Sequence, residues 1–366
     1  MKIIIAGYGF YTLGDKELRG GTIFPAIKKW VSLSESRKVS LTCMVQNKDS
    51  LKFAKKRFNE HLKKYSSQTS IQDIEISFVL TNEFNPDEHF DCGIVATPEN
   101  SHVQVIDQIS QHTNNIICVK PIGNSYSDYL TIIDILKRNK CDLFIDFHKR
   151  FDESNLAFIN NVVASEARSG WFNFFYGQKE VMPKLYFKKW SGISNPYQYL
   201  APHYLDIIFL CLRKMNINLN DTKLDLSVKN LNFKDLVEVN SFIDVSLSVS
   251  HPSGVFHINS ACNWMEPKMS PFTSRQRIEF QSEGTHVISD QDNRGFQVFN
   301  NHESSIPNPH FMTESSELIS SGYGIDSFTN YFDFINGSFP KTQLANLKDY
   351  IYIAKILDEV KKELIR

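Results

Sequence analysis

Lys2-Ile3-Ile4-Ile5-Ala6-Gly7-Tyr8-Gly9 opens the chain with four consecutive apolar residues after the lysine, closed by two glycines. An apolar run without polar alternation is a strand buried on both faces, the kind found in parallel sheets covered by helices. Gly7 and Gly9 permit a tight turn and a close backbone approach to a pyrophosphate. The third glycine of that fingerprint is absent, because Thr12 takes its place. Gly20-Gly21-Thr22-Ile23-Phe24-Pro25-Ala26-Ile27 reads as the helix opening, displaced by a polar insertion around Leu13 to Arg19. A glycine pair after a strand is more often an ordinary turn than a phosphate cradle, so the remaining sequence has to decide.

The downstream rhythm favours a nucleotide fold. Strands are expected at Val39–Val45, Ile74–Leu80, Cys92–Ala96, Ile116–Val119 and Leu143–Phe147, with helices at Asp49–Leu62, Ser101–His112 and Tyr126–Lys137. Such alternation implies parallel strands joined by right-handed crossovers, with ligands outside the strands' carboxyl ends. An acidic residue after the second strand would hold a ribose hydroxyl. Here Gln46-Asn47-Lys48 stands there, which leaves NAD or NADP undecided. The fourth strand ends in Thr97-Pro98-Glu99-Asn100-Ser101-His102, at once a helix-capping corner and a candidate edge for the cofactor.

At 366 residues the chain is long enough for two domains, and its 42% hydrophobic content can bury both cores. Lys plus Arg number 40 against 41 for Asp plus Glu, which provides no electrostatic footprint for nucleic acid or an anionic membrane. The basic stretch from Lys52 to Lys64 carries Phe53, Ala54, Phe58 and Leu62 at helical spacing and reads as a solvated helix face. Six dispersed cysteines without a Cys-x-x-Cys pair suit reduced core thiols of a cytoplasmic protein, with no metal site. No apolar run reaches membrane-spanning length.

Gly7-Tyr8-Gly9, Thr97-Pro98-Glu99-Asn100-Ser101-His102, Val119-Lys120-Pro121 and His148-Lys149-Arg150-Phe151 together resemble the glucose–fructose oxidoreductase / inositol dehydrogenase / MocA (Gfo/Idh/MocA) family. The resemblance implies an α/β protein: a Rossmann domain over residues 1–147, then a substrate-binding and oligomerisation domain over 148–366 built on a large, mostly antiparallel open sheet. It implies NAD(P)-dependent oxidation or reduction of a sugar-like carbinol or carbonyl carbon. Cofactor contacts would fall on Gly7, Gly9, Phe10, Gln46, Asn47, Thr97, Pro98, Asn100, His102, Lys120 and Pro121. Val119 replaces the glutamate of the family's Glu-Lys-Pro motif, whereas the lysine that carries the chemistry remains. A second family signature, a helical histidine four residues after an aspartate, puts His203 in the histidine place and Tyr199 in that of the aspartate.

The pair makes chemical sense. Hydride leaves a carbinol carbon only as the hydroxyl proton departs, so a base titrating near neutrality is wanted, and His203 suits. A nearby ammonium, Lys120, would stabilise alkoxide charge and orient the hydroxyl. Without that pairing, a lone histidine heading an apolar helix is usually a core or capping residue. Tyr199 would bond the imidazole or the substrate. Arg150, directly after a strand, is a candidate for a substrate hydroxyl, carboxylate or phosphate, or equally for an interdomain salt bridge.

From Gly170 the pattern changes to period two, with strands expected at Trp171–Tyr176, Val245–Ser250 and Val255–Asn259, and shorter ones at Ile278–Phe280 and Gly295–Phe299. A broad sheet with one free face suggests a homodimer or homotetramer. Turn chemistry accounts for the Asn263-Trp264-Met265-Glu266-Pro267 corner, and Trp264 is also a candidate wall for a sugar ring. Asn300 to Ser321 reads as a long polar loop and a candidate lid. That loop and the insertion near Leu13–Arg19 slightly favour a nucleotide-sugar or amino-sugar over a free sugar or inositol. Two rivals are a non-catalytic dinucleotide- or sugar-binding module that keeps the fold, and a methyltransferase, which would want the acidic residue missing after the second strand.

Overall fold

The computed structural model describes residues 1–365 apart from 15–20, 65–71, 85–86, 184–193, 231–241, 273, 293–297, 300–303, 306–309 and 315–319. Two compact units emerge, Met1–His148 with His310–Tyr350, and Lys149–Pro309 with Ile351–Arg366.

The first unit is built on β1 (Lys2–Ala6), α1 (Phe10–Leu13), α2 (Ile23–Ser32), β2 (Val39–Val45), α3 (Lys48–Lys64), β3 (Ile74–Leu80), β4 (Cys92–Val95), α4 (His102–Ile109), β5 (Asn115–Val119), α5 (Tyr126–Asn139) and β6 (Asp142–Asp146). All six strands pair in parallel in the order β3-β2-β1-β4-β5-β6, the doubly wound arrangement. Ile3, Ile4 and Ile5 are fully buried, as a strand flanked by helices on both faces requires.

One boundary differs from the sequence-based expectation. Residues 310–350, expected with the second domain, fold onto the first. Their helix α9 (Tyr323–Ile335) packs on α2, where Asp333 accepts from Trp30 Nε1 (2.8 Å) and Arg37 Nη2 (3.0 Å) and Asp326 pairs with Lys29 (2.6 Å). Ala345 and Asn346 also pair with the outer strand β6, so its otherwise open edge is covered. A strand whose free edge needs pairing recruits whatever segment returns to it, and hydrophobic periodicity carries no record of which.

The second unit holds α6 (Glu153–Ala164), β7 (Gly170–Lys179), α7 (Pro196–Leu200), α8 (Pro202–Lys214), β8 (Lys223–Asn230), β9 (Phe242–His251), β10 (Gly254–Glu266), β11 (Ser274–Ser282) and β12 (Thr285–Asp290). The sheet runs β12-β11-β7-β10-β9-β8, antiparallel throughout except between β7 and β10. On β9, Ile243, Val245, Leu247 and Val249 are buried, while Ser246, Ser248 and Ser250 between them stay at least partly open. Among the described residues one face of β9 is therefore buried and the other at least partly open. Terminal helix α10 (Leu347–Ile365) stacks Tyr352 on Phe209 within this unit (5.6 Å). Of the expected strand Gly295–Phe299, Val298–Phe299 is described and pairs antiparallel with Ser304–Ser305, while most of the candidate lid lies outside the described residues.

All six cysteines are buried free thiols, and burial pushes Cys43 and Cys141 up to about 12. No helix is long and apolar enough to cross a membrane among the described residues.

Candidate active-site residues in each unit

The turn after β1 explains its glycines individually. Gly7 has φ +111°, and a Cβ there would lie 2.3 Å from the Ala96 carbonyl oxygen, so only glycine fits. A Cβ on Gly9 would meet nothing within 4 Å. Thr12 fills the third-glycine position by folding its hydroxyl back onto the Gly7 carbonyl at 2.8 Å. Close packing reappears at Gly21, where a Cβ would sit 2.6 Å from the Gly14 amide nitrogen. Helix α1 thus ends at Leu13 and α2 begins at Ile23, with Thr22 N donating to Tyr11 O at 2.7 Å. This is the displaced helix opening expected from the sequence.

Two opposite outcomes are expected here. Gly7→Ala should destabilise the fold by about 1–3 kcal/mol, the usual cost of a non-glycine residue in such a conformation. Gly9→Ala should leave the urea midpoint unchanged and weaken NADH binding, because its new methyl occupies space that only a ligand would use. Urea denaturation and NADH fluorescence titration of both variants check the pair.

After β2, Gln46 and Asn47 are exposed, and Asn47 Oδ1 caps α3 by accepting from Ser50 N at 2.9 Å. Thr97 is half-buried and Pro98 and Asn100 are exposed at the end of β4. His102, expected at the cofactor, is buried, its Nε2 2.7 Å from Thr97 O and its Nδ1 3.5 Å from Cys118 Sγ. Its ring pins the corner between β4 and α4.

Desolvation holds the His102 pKa below its ordinary 6.5. A depressed histidine binds fewer protons folded than unfolded, so the protein should lose stability as pH falls below about 6.5, by up to ~1.4 kcal/mol per pH unit. Urea midpoints between pH 7.5 and 5.5 should show that slope, and His102→Gln should flatten it.

Lys120 directly follows β5 and is half-buried, and its peptide bond to the buried Pro121 is cis. At the end of neighbouring β6 stands a cluster that the sequence reading missed. Asp146 is buried with both carboxylate oxygens occupied: Tyr11 OH donates to Oδ2 at 2.5 Å and Ser327 OH to Oδ1 at 2.6 Å. His148 Nδ1 lies 3.2 Å from the Tyr11 oxygen but 3.8 Å from Asp146, so the phenol bridges imidazole and carboxylate. Phe311 and Tyr323 flank the His148 ring at 5.2 and 5.6 Å between centroids.

In the second unit, Asn195 caps α7 and Pro202 begins α8, which places His203 in the first turn of an apolar helix. His203 is buried, 6.3 Å from the Tyr176 ring. Tyr199 is half-buried, its ring 6.3 Å from Trp264. Trp264 itself is fully buried, so it supports Tyr199 from within the core and offers no open face to a sugar. Arg150, a candidate for substrate, instead makes a bidentate pair with buried Asp206 on α8, at 2.7 and 2.5 Å. Both partners belong to the second unit, so this is not the interdomain bridge considered above. Lys149, fully buried, donates to Gln276 and, at 3.2 Å, to Gln291, with its ammonium 4.7 Å above the Tyr204 ring. The period-two pattern located the strands but could not show that two adjacent cations turn inward.

Residues 1–147 match the model of a family described as an oxidoreductase family with an NAD-binding Rossmann fold, GFO_IDH_MocA. Over those 147 of its 366 residues the chain is similar to the Gfo/Idh/MocA oxidoreductase family. An uncharacterized oxidoreductase of Streptococcus pneumoniae serotype 4 is 30% identical over 136 residues, 35% of either chain, so the match spans about a third of that curated relative's length. Among solved structures, scyllo-inositol dehydrogenase from Lactobacillus casei with bound NAD(H) and scyllo-inositol superposes with a TM-score of 0.68 at 12% identity, covering 99% of this chain and 96% of that one. Myo-inositol 2-dehydrogenase from Lactobacillus plantarum does so with a TM-score of 0.67 at 14% identity, over the same shares. At such identities the likeness is one of fold. At the positions the resemblance singles out, the chain carries Val119, Lys120, Tyr199 and His203.

Proposed function

We propose that the chain is an NAD(P)-dependent oxidoreductase moving a hydride between nicotinamide and a hydroxyl or keto carbon of a sugar-like substrate. The observation that carries this reading is the carboxyl edge of the parallel sheet, where the Gly7–Gly9 turn follows β1 and Lys120 follows β5. The residues fit a dinucleotide: Gly7 takes a conformation only glycine tolerates, and Gly9 leaves its side-chain direction open. Bound nicotinamide supplies the hydride acceptor or donor. Lys120 polarises the substrate oxygen and steadies its charge. His203 is the histidine that the resemblance puts in acid/base work, with Tyr199 beside it in sequence as its hydrogen-bonding companion or a substrate contact. Gln46 carries no charge to repel a 2′-phosphate, so both NAD and NADP belong in the assay.

The slight preference for a nucleotide-sugar or amino-sugar rests on segments largely outside the described residues. Nicotinamide absorbance should therefore be followed with both cofactors against inositols, free sugars, amino-sugars and nucleotide-sugars. Stoichiometric cofactor binding without turnover on the whole panel would make the chain a binding module. The one-sided second sheet also supports a homodimer or homotetramer, which light scattering during gel filtration tests.

A further inference from the structure

Parallel pairing sets Ala6 opposite Met44, so the turn after β1 and the corner after β2 lie side by side at the carboxyl edge of the first sheet. The Tyr8 ring, inside that turn, also stands 6.1 Å from the exposed ring of Phe53 in the second turn of α3. In a doubly wound sheet the corner after the second strand meets the adenosine ribose, and its side chains decide what the 2′ position carries. A bare 2′-hydroxyl wants a carboxylate there to accept its proton. A 2′-phosphate, made of acceptors and carrying close to two negative charges at neutral pH, wants donors and a cation.

This corner supplies donors. Gln46, Asn47 and Lys48 are all exposed, and none carries a negative charge. Asn47 spends its side-chain oxygen on Ser50 N at 2.9 Å, so its amide hydrogens are what it has left to offer a ligand. Lys48 opens α3, and Lys52 follows one turn later on the same stripe. Further along the helix the lysines are engaged, Lys55 over the Phe78 ring at 5.8 Å and Lys56 with Glu60 at 3.9 Å. Lys48 and Lys52 make no ion pair among the described residues. The carboxylates nearest in sequence, Asp49 and, after β3, Glu83, are exposed and pair with neither lysine.

We propose that Lys48 sets the cofactor choice, and that the chain takes NADP(H) in preference to NAD(H). The proposal rests on the oxidoreductase reading and narrows its cofactor. All of its residues belong to the first unit. Lys48 supplies the charge for a 2′-phosphate, the Gln46 and Asn47 amides supply neutral donors, and the missing carboxylate removes the repulsion that excludes a phosphate. Because the ammonium is exposed, its contribution is of moderate size, about five- to tenfold in affinity.

Binding, read without turnover, is the test. Fluorescence titration of the wild type should give a Kd for NADPH at least tenfold below that for NADH. Adenosine 2′,5′-bisphosphate should likewise displace NADPH better than adenosine 5′-monophosphate, which isolates the phosphate from the rest of the cofactor. Lys48→Ala should raise the NADPH Kd about five- to tenfold and keep the NADH Kd within about twofold. Gln46→Asp should weaken NADPH by tenfold or more through repulsion and tighten NADH by accepting from the ribose hydroxyl. Added salt should erode NADPH affinity and spare that of NADH. Equal affinities in the wild type, or a preference for NADH, would overturn the proposal, as would a Lys48→Ala variant whose two affinities are unchanged or fall alike. In each of those cases a dinucleotide still binds and the oxidoreductase reading stands. If neither NADH nor NADPH binds the wild type, that underlying reading falls and the cofactor choice with it.

Discussion

Lys120→Ala is expected to lower kcat/KM by about 10³-fold, while NADH affinity stays within about threefold of the wild type. The size follows from what is removed: one preorganised cationic donor at an oxygen that gains charge in the transition state is worth about 10²–10³-fold in rate. In the proposed reaction the ammonium would act at the reacting oxygen, whereas dinucleotide affinity would draw on the Gly7–Gly9 turn. Lys120→Arg should recover little, since a planar guanidinium cannot aim a point charge as an ammonium does. Single-turnover rates and NADH fluorescence titration together make the check. Turnover equal to the wild type would remove Lys120 from the reaction.

The second large effect concerns stability. Asp206→Ala should cost the fold about 3–5 kcal/mol, because it removes the bidentate carboxylate from a buried guanidinium. Both side chains are almost wholly buried, and the pair is bidentate, so little solvent screening tempers that cost. Replacing both partners, as in Arg150→Met with Asp206→Leu, should restore most of the loss, since neither charge is then left without its counterpart. Urea unfolding followed by circular dichroism gives the midpoints. Asp206→Ala with a wild-type midpoint would show that Arg150 finds another anion, and would reopen its candidacy for substrate.

The two variants also separate two kinds of evidence. Lys120 could be singled out beforehand because Cys118-Val119-Lys120-Pro121 sits at the end of an apolar run, a place with a fixed chemical meaning in a parallel sheet. Arg150 had equally good sequence credentials, following β6 by four residues, and turned out to be committed to Asp206, 56 positions further on. His102 went the same way. Its place in the Thr97–His102 corner was legible, but not that its ring would be spent holding that corner together.

Apolar runs, the Gly7–Gly9 spacing and the change to period two at Gly170 determined the first sheet, four of the second sheet's six strands and the turn where a dinucleotide would rest. Those features act over a few residues, so a linear reading captures them. Tertiary structure alone decided that Ala345 and Asn346 return to cover β6, and that Tyr11 meets Asp146 across 135 residues and Ser327 meets it across 181. It likewise decided which cations turn inward. Contacts at such separations come from packing and the need to satisfy buried polar groups, and neither leaves a periodic trace along the chain.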